Sequence, residues 1–148
     1  MDKKFMKRAL ELAREAALNG EVPVGAVIVK DGKIISEGMN KREQKQSALS
    51  HAEIEAIKGA NKALGSWRLD GCEIYVTLEP CPMCAGAILN SRISEVIFGA
   101  FDKEAGFVDS VTNVFSLTKN NKTKIFCGIC EEECEKILQD FFKAVRDK

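Results

Sequence analysis

Residues 73–100 constrain the chain more than any other stretch. EIYVTLE (Glu73–Glu79) is a short run rich in β-branched and aromatic residues, and EVIFGA (Glu95–Ala100) is another. Between them, CPMCAGAILNSRI carries the apolar pattern of a helix. Strand, helix and strand in so short a span demand a crossover between parallel strands. Such crossovers lay helices over the faces of a sheet. The expected class is therefore α/β, with helices on both sides of a partly parallel sheet.

The remaining segments fit that class. MDKKFMKRALELAREAALNG reads as an amphipathic helix with Phe5, Leu10, Leu12, Ala16 and Ala17 among its apolar positions, stopped by Asn19-Gly20. VPVGAVIVKDGKIISEGMN reads as two strands joined at Asp31-Gly32, a strong hairpin signal. NKREQKQSALS is expected to be a polar loop, and HAEIEAIKGANKALGS a helix turning Ile54, Ile57 and Leu64 to the core. Ala100–Leu117 reads as a loop with a short helix, KTKIFC as a last strand, and CEEECEKILQDFFKAVRDK as a closing amphipathic helix. There is no repeat and no linker, so residues 1–148 are expected to form a single domain.

Charge and composition exclude little. Lys+Arg and Asp+Glu both total 22, which neither invites nor forbids nucleic acid, because local patches outweigh the sum. No apolar run is long enough to span a bilayer. The N-terminus is too charged for a signal peptide, so a cytoplasmic location is expected. There the six cysteines favour metal binding or catalysis over disulfides.

The chemistry centres on the one histidine, His51, at the start of a helix. Glu53 follows two residues on, and with Cys81 and Cys84 this makes His-x-Glu followed by Pro-Cys-x-x-Cys. Zinc takes imidazole and thiolate ligands, and a catalytic zinc keeps three protein ligands and an open fourth position. His51, Cys81 and Cys84 supply three; a structural site would want a fourth. Cys81 reads as an N-cap or first-turn residue with Pro82 at the first helical position. The positive end of that helix favours the thiolate. Zinc in such a site lowers the pKa of water to about 7. Glu53 is placed for general acid/base work. The competing structural reading is a capping box over Ser50-His51-Ala52-Glu53, in which Glu53 only ties down the helix start.

His-x-Glu with Pro-Cys-x-x-Cys is the signature of zinc nucleobase deaminases, and the chain resembles bacterial tRNA adenosine deaminases over nearly its whole length. The matching segments are GEVPVGAVIVKDG, HAEIEAI, LGSWRLDGCEIYVTLEPCPMCAGAILNSRI, VIFGA and the closing Cys134, Phe141 and Phe142. The resemblance implies the cytidine-deaminase-like fold: three layers, α/β/α, around a mixed sheet of five strands, usually as a homodimer. It implies one Zn2+ per chain on His51, Cys81 and Cys84, with Glu53 as proton shuttle. Asn40, Ala52 and Asp102 are implied as substrate contacts. The implied reaction is hydrolytic: water adds at the amine-bearing ring carbon, Glu53 carries the proton to the ring nitrogen and then to the amine, and ammonia leaves a carbonyl behind.

The departures fall where substrate is chosen. Those tRNA enzymes usually carry Asp-Pro-Thr-Ala before His-Ala-Glu; Ser47-Ala48-Leu49-Ser50 stands there. In GAFDKEAGFVDS, Asp109 occupies the place of a family glycine, and Asn120-Asn121-Lys122 lacks a family histidine. EAGFVDS is also similar to guanine deaminases, which would put Asp109 near the pocket; the alternative is that Asp109 caps the short helix of SVTNVF. A tRNA anticodon loop would need cations for its phosphates, and Lys41, Arg42, Lys103, Lys119, Lys122, Arg146 and Lys148 are candidates. A small free nucleobase such as guanine would need a closed pocket instead. A zinc protein without turnover, binding RNA or a partner, is a third reading that the intact Glu53 disfavours. Cys127, Cys130 and Cys134 are expected to be packing thiols, because a second metal would lack a fourth ligand.

Overall fold

The computed structural model describes residues 1–119 and 121–147. Asn120, in the stretch that lacks a family histidine, and Lys148, a candidate phosphate contact, lie outside the described residues. The elements run α1 (Lys3–Leu18), β1 (Gly25–Lys30), β2 (Lys33–Met39), α2 (Arg42–Lys45), α3 (Ala52–Leu64), β3 (Cys72–Leu78), α4 (Pro82–Asn90), β4 (Glu95–Ala100), a 3-10 turn (Val114–Leu117), β5 (Lys124–Cys127) and α5 (Glu131–Arg146).

Five strands form one sheet in the order β2-β1-β3-β4-β5. β1 pairs antiparallel with β2 and with β3, whereas β3–β4 and β4–β5 are parallel. The hairpin turns at Asp31 (φ 51°) and Gly32 (φ 75°), the paired positive φ angles that a tight two-residue turn demands. The β3–α4–β4 crossover supplies the first parallel pair.

Two cores result, one on each face. α1 buries Phe5, Met6, Ala9 and Leu10 against Val27, Val29, Tyr75 and Ile97, where Cys134 and Leu138 of α5 join it. α3 and α4 cover the other face, burying Ala52, Ala56, Ala60, Ala85 and Ile88 against Ile28, Ile74, Val76 and Phe98. This is the expected three-layer α/β/α arrangement with a mixed five-stranded sheet.

Two local expectations are corrected. The segment read as a polar loop contains α2, a single turn closed at Gln46 in the left-handed region (φ 49°). α3 does not turn Ile54 to the core: Ile54 is half-exposed, and the sheet-facing stripe is Ala52, Ala56 and Ala60 with Ile57. Small side chains win there because α3 lies close on β2, where the backbone of Ala52 and Ala56 meets Gly38 with no room for a Cβ.

Candidate active site

Two helix starts meet at the carboxyl end of β3. His51 is the N-cap of α3 (φ −77°, ψ 156°) and Cys81 the N-cap of α4 (φ −73°, ψ 174°), with Pro82 at its first position. Neither cap makes a side-chain hydrogen bond to its own helix, so both side chains are available to each other. His51 Nδ1 stands 3.7 Å from Cys81 Sγ and 3.6 Å from Cys84 Sγ. A tetrahedral zinc with ordinary Zn–N and Zn–S lengths separates nitrogen from sulfur by ~3.6 Å. The three donor atoms all lie within 4.8 Å of one another, and no other such trio occurs among the described residues. The donor set and its spacing fit zinc.

The electrostatics suit the same group. Cys81 is pulled down to about 4, chiefly by the hydrogen bond from the Cys84 thiol and, against burial, by His51. Cys84 is driven up because Cys81 has taken the charge and the site is dry. His51 is raised by its contact with Cys81, against the effect of burial. A dication held between them would favour the thiolate form of both cysteines. Glu53, 4% exposed, sits against Cys84, and burial pushes its carboxyl up to about 7. The capping box over Ser50–Glu53 is not formed: the N-cap is His51, not Ser50, and the His51 side chain makes no hydrogen bond to the helix start.

A cleft of about 220 Å³ opens over this group, walled by Val22, Val24 and Leu78 and by Asn40, Ala52, Asp102 and Ala105. It lies at the carboxyl ends of the parallel strands, where open α/β sheets place their ligands. Asn40 is buried, accepting a long hydrogen bond from Arg42 N (3.4 Å) and donating one to Val22 O (3.4 Å). Asp102 uses Oδ1 to receive Glu104 N and Ala105 N, which closes the turn beside it.

Asp109 goes elsewhere. It is exposed and does not line the cleft; its backbone N–H is tied to Glu79 instead. Nor does it cap the turn at Val114–Leu117, whose cap is Asn113, accepting from Phe115 N and Ser116 N. The basic candidates also divide. Arg42 lines the cleft and Lys103 sits on the exposed turn next to Asp102. Lys119 and Lys122 line, with Arg92, a separate cavity of about 520 Å³ at the opposite, amino ends of β4 and β5. Arg146 is exposed near the end of α5.

Two buried carboxylates beside the cleft were not singled out from sequence. Glu21, 1% exposed, receives Glu43 N and Gln44 N and so holds the start of α2 next to Arg42. Glu79, 2% exposed, receives four backbone N–H groups from the segment after β4. A signal existed for Glu79: a charged residue directly after a buried strand and two residues before a thiol ligand. The remaining cysteines are unpaired: Cys134 is a buried packing thiol whose burial takes it up to about 12, Cys130 is half-buried, and Cys127, expected to pack, is exposed at the end of β5.

Likeness to known proteins runs through the whole chain. The MafB19-like deaminase family profile matches residues 1–146. A tRNA-specific adenosine deaminase of Bacillus subtilis is 46% identical across 99% of this chain and 92% of its own length. A solved chain from a study of A-to-I editing by tRNA:A34 deaminases at the wobble position of transfer RNA superposes with a TM-score of 0.88 at 41% identity, covering 93% of this chain and 100% of that one. A guanine deaminase of Bacillus subtilis is 42% identical with a TM-score of 0.67, covering 79% and 75%. With its donor trio at the strand ends and likeness from end to end, the chain belongs to the MafB19-like deaminase family.

Proposed function

We propose that this deaminase converts the wobble adenosine of a tRNA anticodon loop to inosine, with one zinc ion held by His51, Cys81 and Cys84 and with Glu53 as general acid and base. The observation that carries the chemistry is the convergence of Nδ1 and two Sγ atoms at zinc spacing, beside a buried carboxylate, on the floor of a small cleft. Zinc at such a site supplies Lewis acidity and a water acidic enough to react at neutral pH.

The chain's own residues do the rest. Glu53 takes one proton of the attacking water and gives it to the ring nitrogen, then takes the second, from the hydroxyl formed on the ring carbon, and gives it to the departing amine, so that ammonia leaves and a carbonyl remains. Asn40, Ala52 and Asp102 orient the base, and the apolar wall of Val22, Val24 and Leu78 excludes water from it. At about 220 Å³ the cleft is smaller than the roughly 300–1,000 Å³ of drug-sized pockets. It suits one flipped base, leaving the rest of an RNA on the outer surface, where Arg42 and Lys103 offer phosphate contacts. Asp109 is left out of the site because it does not line the cleft.

The reading carries a single deaminase domain over residues 1–148, a homodimer, and a cytoplasmic location consistent with six unpaired cysteines. No helix among the described residues is long and apolar enough to cross a membrane. The competing substrate is free guanine, supported by the likeness to a guanine deaminase. The relation to the tRNA:A34 deaminase chain covers more of both partners at a higher TM-score, and it supports the tRNA reading.

The test is an ammonia-release panel on zinc-loaded protein. An anticodon stem-loop with a wobble adenosine is compared with free guanine, adenine, cytosine and their nucleosides. Inosine in the stem-loop is the expected product. Turnover of guanine without turnover of the stem-loop would reverse the assignment. Turnover of nothing, with zinc bound, would leave a binding protein.

A further inference from the structure

The segment between β4 and the 3-10 turn has neither helix nor ladder to satisfy its backbone, yet it forms one wall of the cleft. Its N–H groups must go somewhere. Four converge on one side chain: Glu79 Oε1 receives Asp102 N (3.0 Å), and Oε2 receives Val108 N (3.3 Å), Asp109 N (2.7 Å) and Ser110 N (2.8 Å). The Ser110 hydroxyl adds a fifth bond, to Oε1. Such a ring of N–H groups is a backbone nest for an anion, with the anion supplied by the protein itself. Gly106 completes it, since a Cβ there would fall on the Glu79 carboxylate. Pro80 extends the grip through its carbonyl, which accepts Phe107 N (2.9 Å).

Glu79 stands two residues before Cys81, in the short connection that carries the chain from β3 into α4. The same few residues therefore fix a metal ligand and, through Glu79, the wall that bears Asp102 and Ala105.

We propose that Glu79 is a positioning residue for catalysis: its carboxylate sets the 102–110 wall in register with the His51–Cys81–Cys84 group and so fixes where the base sits. The proposal rests on the deaminase reading above. Glu79 borders the cleft beside Cys81, but both of its carboxylate oxygens are taken up by the 102–110 segment, so it acts through the wall. An amide in its place presents NH2 where the segment offers N–H donors, so Glu79→Gln keeps the shape and removes an acceptor.

The experiment has two arms on full-length, zinc-loaded protein. The first is amide hydrogen exchange without substrate. Glu79→Gln is expected to speed exchange at Asp102, Asp109 and Ser110 by about tenfold or more, leaving β3 and β4 protected. The second is kinetics on whichever substrate the wild-type chain turns over in the panel above. KM is expected to rise roughly tenfold, with kcat within about threefold and zinc still at one per chain. Unchanged exchange in 102–110, an unchanged KM, or a loss of activity that tracks zinc loss would each overturn the proposal. If Glu79→Gln does not fold, Ser110→Ala and Gly106→Ala decide the matter. The first removes the Oε1–hydroxyl bond and the second crowds the carboxylate. Faster loop exchange with a raised KM in both supports Glu79, and wild-type values in both refute it. The exchange arm needs no substrate, so failure of the tRNA assignment and failure of this proposal remain distinguishable.

Discussion

Replacing Gly38 by alanine should loosen the metal site from across the sheet. Gly38 lies on β2 beneath the first turn of α3. A Cβ there would sit 2.7 Å from Ala56 N and nearer still to the Ala52 carbonyl, where ordinary contact begins at about 3.4 Å. Both obstacles are helix backbone, which cannot rotate aside. The start of α3 must retreat by about 0.7 Å or more, the shortfall at Ala56 alone. That turn carries His51 and Glu53, and metal sites keep their distances to within about 0.2 Å. We expect zinc affinity, read by chelator competition, to fall about tenfold or more, with ammonia release at limiting zinc falling alongside. Overpacking of this kind costs ~1–3 kcal/mol, so the melting temperature should drop by roughly 2–12 °C. Gly59→Ala is the control. Its Cβ would meet only the Ser36 side chain, which can rotate, and alanine favours the helix. Zinc affinity within threefold of wild type in Gly38→Ala, with activity unchanged at limiting zinc, would refute the argument that this close approach places His51.

Further outcomes are expected. Glu53→Gln should retain one zinc per chain while ammonia release falls by about 10²–10⁴-fold; an active variant would remove Glu53 from the mechanism. Cys84→Ser should lose zinc at concentrations that saturate the wild type, as metal analysis after dialysis would show. Metal analysis of the wild type should give one zinc per chain; a second would bring Cys127, Cys130 and Cys134 back as ligands. On the surface, Arg8 binds Glu37 through two nitrogens (2.6 and 2.9 Å) and holds its carboxyl below the ordinary value near 4.5. A depressed folded pKa stabilises above the unfolded value and is lost as pH falls through the folded one. The neutral-pH advantage of wild type over Glu37→Gln, under ~1 kcal/mol for so exposed a pair, should therefore shrink below about pH 4.5 in acid melting curves. Curves that stay parallel into strong acid would contradict it.

Much of the fold and the ligand set was legible because it is written in local pattern. The crossover from Glu73 to Ala100 is a change of hydrophobic period, the hairpin is Asp31-Gly32, and His51 and Cys81 stand at helix starts marked by their neighbours. Each is read within a few residues, so one chain of letters suffices. What was not legible depends on partners far along the chain. α3 shows its alanines to the sheet and leaves Ile54 half-exposed, because the room available there is set by Gly38 on another element. Asp109 is spent as a backbone donor to Glu79 rather than as a side chain in the cleft, because Glu79, 30 residues earlier, collects that segment's N–H groups. The sequence by itself determined the element types apart from the single turn of α2, the donor chemistry at His51, Cys81 and Cys84, and the reaction class they imply. Tertiary structure alone decided that the imidazole and thiols, 30 and 33 residues apart, stand 3.7 and 3.6 Å from one another, and which side chains wall the cleft above them. Ligand identity is a property of single residues, whereas the spacing between them and the shape of the wall are set by strand order, helix approach and a buried carboxylate that no local pattern encodes.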